Sequence, residues 1–258
     1  MNIQPKDTIA TRFNKDASEI AEGGWTTRQK VALAGRILFS EGHWRSLAGQ
    51  ITCRANGPTD TDMITVGFGV GFDEAIAGTL SLVDQNLVAL AGSRMPNPGV
   101  RFHSWIYSKR PDVAAIVHTH PPACGALSMI GEALAIAHMD ATPLFEDCAF
   151  LPEWPGLPIG DEEGRIISEA MVGKHAILLA NHGLLTAGSS IEEATMLAVW
   201  MEQAADMQLR ARAIGAVKPI APALARESRD FLRSSKIVNL TFAYLGRREL
   251  RRDPDVLL

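Results

Sequence analysis

Residues 114–120 read Ala114-Ala115-Ile116-Val117-His118-Thr119-His120 and run into Pro121-Pro122, an apolar stretch that ends in two histidines one residue apart. Successive side chains of a β-strand point to opposite faces, so His118 and His120 share a face and deliver two imidazoles into one small volume. Further along, a second apolar run, Ala176-Ile177-Leu178-Leu179-Ala180, ends in Asn181-His182-Gly183. Three neutral imidazoles with one coordination position left open suit a catalytic zinc rather than a closed structural one. A single histidine in such a place is more often a hydrogen-bonded core residue than a ligand. Two strand ends that both carry histidine argue for the metal.

Arg110-Pro111-Asp112-Val113, then His118-Thr119-His120-Pro121, then Asn181-His182-Gly183-Leu184-Leu185, in this order and separation, resemble the class II aldolase/adducin family. The resemblance runs from about Gln29 to Ala213. Periodicity alone says only that helices and strands are mixed without strict βαβ alternation. The resemblance implies an α/β architecture, a central and mostly antiparallel β-sheet sandwiched between helical layers, assembled as a homotetramer with sites near subunit contacts. It also implies His118, His120 and His182 as ligands of Zn2+, with Fe2+ or Mn2+ as the alternative divalent ions.

This sequence departs from the sugar-phosphate members of the family at two places. Their Gly-Asn phosphate motif becomes Gly49-Gln50, and their Ser-Ser-Glu, two phosphate hydroxyls and an acid/base carboxylate, becomes Asn97-Pro98-Gly99. A non-phosphorylated substrate follows, and the proton-transfer group must come from elsewhere. His138, Asp140, Glu146 and Asp147 follow the metal strand closely enough to be its candidates. Tyr244 is a candidate for the aromatic hydroxyl that the family's C-terminal region lends to a neighbour's site. His103 and Tyr107, four apart on a helix, either line the site or pack under the sheet with their polar ends satisfied. His175 lies away from the C-terminal end of its strand and reads as a non-ligand.

With 258 residues, 47% of them hydrophobic, the chain has ample material for a core, and one domain over 25–258 is the simplest division. Residues 1–24 are polar and close on Gly23-Gly24, which reads as an N-terminal arm. A net charge of −4 removes the electrostatic reason for a nucleic-acid or anionic-membrane partner. Three widely spaced cysteines, Cys53, Cys124 and Cys148, form no disulfide framework, and no apolar run has the length of a membrane span or the pattern of a signal peptide. A cytoplasmic location follows as the expectation.

Local signals place several helices. Thr26 with Gln29 forms a capping box opening a helix that stops near Gly42; Ala123–Gly131 is a short helix with Leu127 and Ile130 inward; Asp161 caps a helix that pairs Ile166 with Ala170 and Ile167 with Met171. Ser190 with Glu193 caps a helix that ends near Gly215. Beyond Pro219, a helix near Leu224–Lys236 and a segment at Phe242–Leu245 are expected, with the basic run Gly246–Arg252 as a solvated terminus.

Taken together, these readings give a metal-dependent carbon–carbon lyase of the aldolase type acting on a non-phosphorylated hydroxy-carbonyl or carboxylated small molecule. The rivals are a decarboxylase, epimerase or oxygenase using the same three histidines, and a non-catalytic adducin-like interaction module. Adducin-type relatives lose the metal histidines, and this sequence keeps all three.

Overall fold

The structure is a computed structural model that describes Pro5, Lys6, Thr8, Thr11 and residues 23–44, 46–56, 60–90 and 93–258. The expected N-terminal arm lies almost wholly outside the described residues. Seven strands form one sheet: β1 (Gln50–Arg54), β2 (Met63–Thr65), β3 (Ser81–Val83), β4 (Ala115–Thr119), β5 (Cys148–Leu151), β6 (Ala176–Leu179) and β7 (Gly183–Gly188). Their order across the sheet is β3-β2-β1-β4-β7-β6-β5. All neighbours are antiparallel except β5 and β6, so the mostly antiparallel sheet is as expected.

Strand parity divides the core in two. Ala115 and Val117 of β4, Leu178 of β6 and Leu184 of β7 face one side; Ile116, Ile177 and Leu185 face the other. The first side is covered by α1 (Thr27–Ser40), α5 (Ile191–Ile214) and α7 (Ser235–Arg252), which supply buried Leu38, Leu197 and Phe242. The second is covered by α2 (Arg101–Lys109) and α4 (Asp161–Ala170), with Phe102, Ile106 and Ile167 fully enclosed. Each such side chain contributes about 1.5–3 kcal/mol by leaving water. A one-residue slip of β4 would exchange its two faces and turn His118 into the opposite layer, so burial on both sides pins the register that the histidines depend on.

The ends of the helices follow local chemistry. Thr26 and Gln29 form the complete capping box on α1. A short helix α3 (Pro122–Met129) follows β4; Leu127 is inward as expected, but Ile130 lies just past its end and is 56% exposed. Gly160, not Asp161, is the N-cap of α4, because the Asp161 carboxylate is taken by Arg101 and Trp105 of α2. Ile167 and Met171 face inward there, whereas Ile166 and Ala170 are only partly covered. Ser190 caps α5 by accepting the Glu193 N–H, but the Glu193 carboxylate turns to Ser189 and Arg233, so only half of the box forms.

The C-terminal region is more ordered than its sequence suggests. Helices α6 (Pro222–Leu232) and α7 replace the expected helix and separate segment, with the break at Arg233-Ser234. The basic run belongs to α7, which packs on α1 and α5. Glu249 inside it is only 5% exposed, accepts from the Ser40 hydroxyl and pairs with Arg248, which also reaches Glu41. Packing of one helix face, not solvation, decides the fate of that segment.

Candidate metal centre

β4 ends at Thr119 and delivers His118 and His120 on the face toward α2, where the His118 ring meets Phe102 edge-on with centroids 5.0 Å apart. The third histidine arrives through the tight turn between β6 and β7. Asn181 adopts φ +55°, a conformation that asparagine tolerates better than most residues, and the chain reverses so that Leu179 pairs with Gly183. Because β7 lies beside β4, with Thr119 opposite Leu184, the His182 ring lands against the other two. Ring centroids are 4.8 Å apart for His118–His120, 4.7 Å for His118–His182 and 4.5 Å for His120–His182. One ligand atom from each lies within 4.8 Å of the others.

Gly183 makes this approach possible. A Cβ at that position would lie 2.4 Å from the Thr119 carbonyl oxygen and 3.0 Å from Cδ2 of His120. Only a residue without a side chain fits between the two histidine-bearing segments.

Tautomers follow from the hydrogen bonds. His118 Nδ1 is 2.7 Å from the Leu184 carbonyl oxygen, which can only accept, so Nδ1 carries the proton and Nε2 presents a lone pair. That Nε2 sits 2.9 Å from Nε2 of His120. Two ring nitrogens facing each other at this distance repel unless a proton or a cation lies between them, and the donor set suits a divalent ion of the nitrogen-preferring class. Leu184 thus acts as the outer partner that fixes ring orientation.

The electrostatics keep the rings ready for metal. Burial holds the His118 ring well below its ordinary pKa, and the neighbouring His182 and His120 lower it further. Burial, then the charge of His120, pushes His182 down to about 4, and burial lowers His120 as well. All three are neutral near pH 7, the form that binds a cation.

Two buried neighbours were not among the site candidates read from the sequence, although Gln50 stood out there as a departure from the Gly-Asn motif. His43, fully enclosed, places Nδ1 2.9 Å from the hydroxyl of Thr119, the residue between His118 and His120. Gln50 of β1 lies opposite His118 in register and therefore shares its face. Gln50 Nε2 and Cδ are 2.8 and 3.0 Å from where a Cβ of Gly99 would stand, so the amide occupies the space that a side chain at position 99 would need. Its Oε1 is buried without a hydrogen-bond partner. The signal was present only as the departure from the Gly-Asn and Ser-Ser-Glu patterns, because the two positions are far apart in sequence.

His103 and Tyr107 pack under the sheet, but with unequal satisfaction. Thr52 meets His103 Nδ1 at 2.8 Å and the Tyr107 hydroxyl at 2.9 Å, while Nε2 of the buried His103 has no partner. His175 stays a non-ligand, bonded through Nδ1 to Asp147 at 2.8 Å.

The acid/base candidates are not gathered at the histidines. Parallel pairing of Cys148 with Ala176 sets Glu146 and Asp147 beside the start of β6, whereas His182 follows its end. That separation is the length of the strand, roughly 3.3 Å per residue, so neither carboxylate reaches the histidines of its own chain. Asp147 is held by His175 and Arg233, and Glu146 by Arg226 and Arg229, whose guanidinium groups lower its pKa, Arg226 foremost. His138 and Asp140 lie on an exposed turn and contact each other at 3.5 Å. Tyr244 is 57% exposed on α7. Among the described residues no carboxylate, cysteine or further histidine joins the three-histidine group.

Residues 29–209 match the family described as Class II Aldolase and Adducin N-terminal domain. The chain belongs to this family, and its fold is the family's α/β fold. It is 33% identical over 154 residues both to the 4-hydroxy-3-prenylphenylpyruvate oxygenase/4-hydroxy-3-prenylbenzoate synthase of Streptomyces roseochromogenus subsp. oscitans and to the decarboxylase NovR of Streptomyces niveus. Each match takes in 60% of this chain and spans little more than half of the relative, 56% and 57% respectively. Among solved structures, the L-fuculose 1-phosphate aldolase from Glaciozyma antarctica PI12 superposes with a TM-score of 0.80 at 29% identity, covering 89% of this chain and 90% of that one.

Proposed function

We propose that this protein is a divalent-metal-dependent enzyme that breaks a carbon–carbon bond in a non-phosphorylated hydroxy-carbonyl or carboxylated small molecule. His118, His120 and His182 hold the ion, zinc by preference for three imidazoles. The reading is carried by the two facing Nε2 atoms at 2.9 Å, one of them fixed as a lone pair by Leu184. A bound cation supplies stabilisation for negative charge that develops on a substrate oxygen as the bond breaks.

The chain's own groups define the remaining chemistry. Gln50 offers an amide beside His118 that hydrogen-bonds a substrate oxygen without exchanging a proton; its O and N ends are interchangeable by rotation. With Gly99 in place of the family's glutamate, the proton that replaces the lost carbon group comes from water or from another copy of the chain. Of the candidates, His138, Asp140 and Tyr244 are exposed and free to act across a subunit contact in a homotetramer.

Decarboxylation is the second reading, and the glycine at 99 favours it. Loss of carbon dioxide needs no base to begin, only a group to stabilise the electrons left behind and a solvent proton to end it. The names of the two Streptomyces relatives, an oxygenase/synthase and a decarboxylase, agree with a site that departs from sugar-phosphate cleavage. No helix among the described residues is long and apolar enough to cross a membrane; a cytoplasmic enzyme of one domain over 25–258 remains part of the proposal.

Metal analysis of the purified protein, followed by a screen of unphosphorylated hydroxy-keto acids against carboxylated aromatics, tests the proposal. Aldehyde release marks the lyase and carbon dioxide release the decarboxylase. Activity that survives complete chelation refutes the metal-dependent readings, and protein that neither binds a divalent ion nor turns over any substrate leaves the adducin-like module.

A further inference from the structure

Gln50 borders a cleft of about 420 Å³, a size within the roughly 300–1,000 Å³ of small-molecule sites. Gln50 stands in its wall, and Gln50 is the register partner of His118, so one end of the cleft adjoins the strand that carries His118. Phe39, Trp44, Phe68 and Phe72 line the rest of it. Phe39 and Trp44 form a tilted pair with centroids 6.3 Å apart. Trp44 and Phe68 are 51% and 45% exposed.

Gly49 joins the two halves. At φ +119° it sits where an added Cβ would be 3.1 Å from the His118 carbonyl oxygen and 3.3 Å from the Phe72 ring. The glycine therefore lets an aromatic wall of the cleft close against the strand that carries the metal ligands. The charges point the same way. Among the described lining residues the charged ones are Asp73 and Glu74, both exposed carboxylates; Arg94 borders Gly67 through its aliphatic stem, outside the lining. A phosphate in this cleft meets like charge and no cation, whereas a ring gains apolar and edge-to-face contact.

We propose that the cleft receives the aromatic ring of an aromatic carboxylic or keto acid whose acid end lies at Gln50 and the three histidines. The proposal rests on the metal-centre reading and adds the part of the substrate that reading leaves open. Volume sets the scale, the rings set the chemistry, and Gln50 sets the direction.

Calorimetric titration of the full chain, metal-stripped and zinc-loaded, with phenylpyruvate, pyruvate and dihydroxyacetone phosphate tests it. Phenylpyruvate is expected to bind at least tenfold more tightly than pyruvate, and dihydroxyacetone phosphate no more tightly than pyruvate. Phe68→Ala, at a half-exposed position, is expected to remove most of the tenfold preference while pyruvate affinity stays within twofold. Equal affinity for the two keto acids, a preference untouched by Phe68→Ala, or tightest binding of the phosphate overturns the proposal. So does a Phe68→Ala variant that changes only the oligomeric state, which assigns the rings to a second copy of the chain. Zinc that strengthens both keto acids equally, without a ring preference, refutes the cleft and spares the metal centre. A ring preference with neither keto acid strengthened by zinc refutes the metal centre and spares the cleft.

Discussion

Gly183→Ala is the substitution that probes the geometry of the centre without replacing any of the three histidines. The new methyl carbon would stand 2.4 Å from the Thr119 carbonyl oxygen, 3.0 Å from Cδ2 of His120 and 3.1 Å from its Cα. A tolerable carbon–oxygen contact is about 3.3 Å, so the start of β7 and the end of β4 must part by roughly 1 Å. The obstacle is backbone, which cannot swing aside as a side-chain end would. Overpacking of this kind costs about 1–3 kcal/mol. Metal distances tolerate only about 0.2 Å, so a displacement several times larger between His182 and the other two rings is expected to weaken binding far more than it weakens the fold. We expect zinc affinity to fall at least tenfold in competition with a chromophoric chelator, with a lowered midpoint of thermal unfolding. Gly125→Ala is the internal control: it lies inside α3, an added Cβ there meets nothing within 4 Å, and its unfolding midpoint should hold or rise. Parental zinc affinity in Gly183→Ala, with Gly125→Ala also unchanged, would refute the claim that this glycine sets the spacing of the histidines.

Other expectations follow from single observations. His120→Ala should lose bound metal and catalytic activity together, read by elemental analysis after gel filtration; full metal stoichiometry in the variant contradicts the ligand assignment. Burial pushes the pKa of both His43 and His103 down to about 3, against about 6.5 in the unfolded chain. The unfolded state then binds more protons between those values, so stability is complete above about pH 6.5 and is lost as pH falls toward 3. Moving from pH 7.5 to 5.5 is expected to cost the metal-free protein about 1 kcal/mol for each of these rings, measured by urea unfolding; an unchanged urea midpoint argues against neutral buried rings. Glu249→Ala removes the buried partner of Ser40 and Arg248, and is expected to destabilise by about 2–3 kcal/mol. A loss within 0.5 kcal/mol, the scale of an ordinary surface change, would return α7 to the status of a solvated terminus.

The parts legible in the sequence were those set by neighbours along the chain. Alternation alone placed His118 and His120 on one face, and the Thr26–Gln29 box opened α1 where its residues said it would. Signals failed where a side chain chose a distant partner over a local one. Asp161 left the cap position for Arg101 and Trp105, Glu193 turned from its box partly to Arg233, and the basic run of α7 was drawn onto α1 through Glu41. Charged side chains satisfy their charge wherever the fold offers a partner, and that choice is not written in spacing.

The sequence by itself determined the chemical type of the site, because imidazoles at i and i+2 of a strand share a face whatever surrounds them. Its resemblance to the family also implied what is missing, a carboxylate at position 99. Only the tertiary structure decided that β7 would lie beside β4 and bring the His182 ring within 4.7 Å of the His118 ring, since burial of both faces of the sheet fixes that order across a long stretch of chain. It alone set the amide of Gln50 into the space left by Gly99, and set Glu146 and Asp147 at the far end of β6. Proximity between residues remote in sequence is a property of strand order and register, and those are settled by packing that no local pattern records.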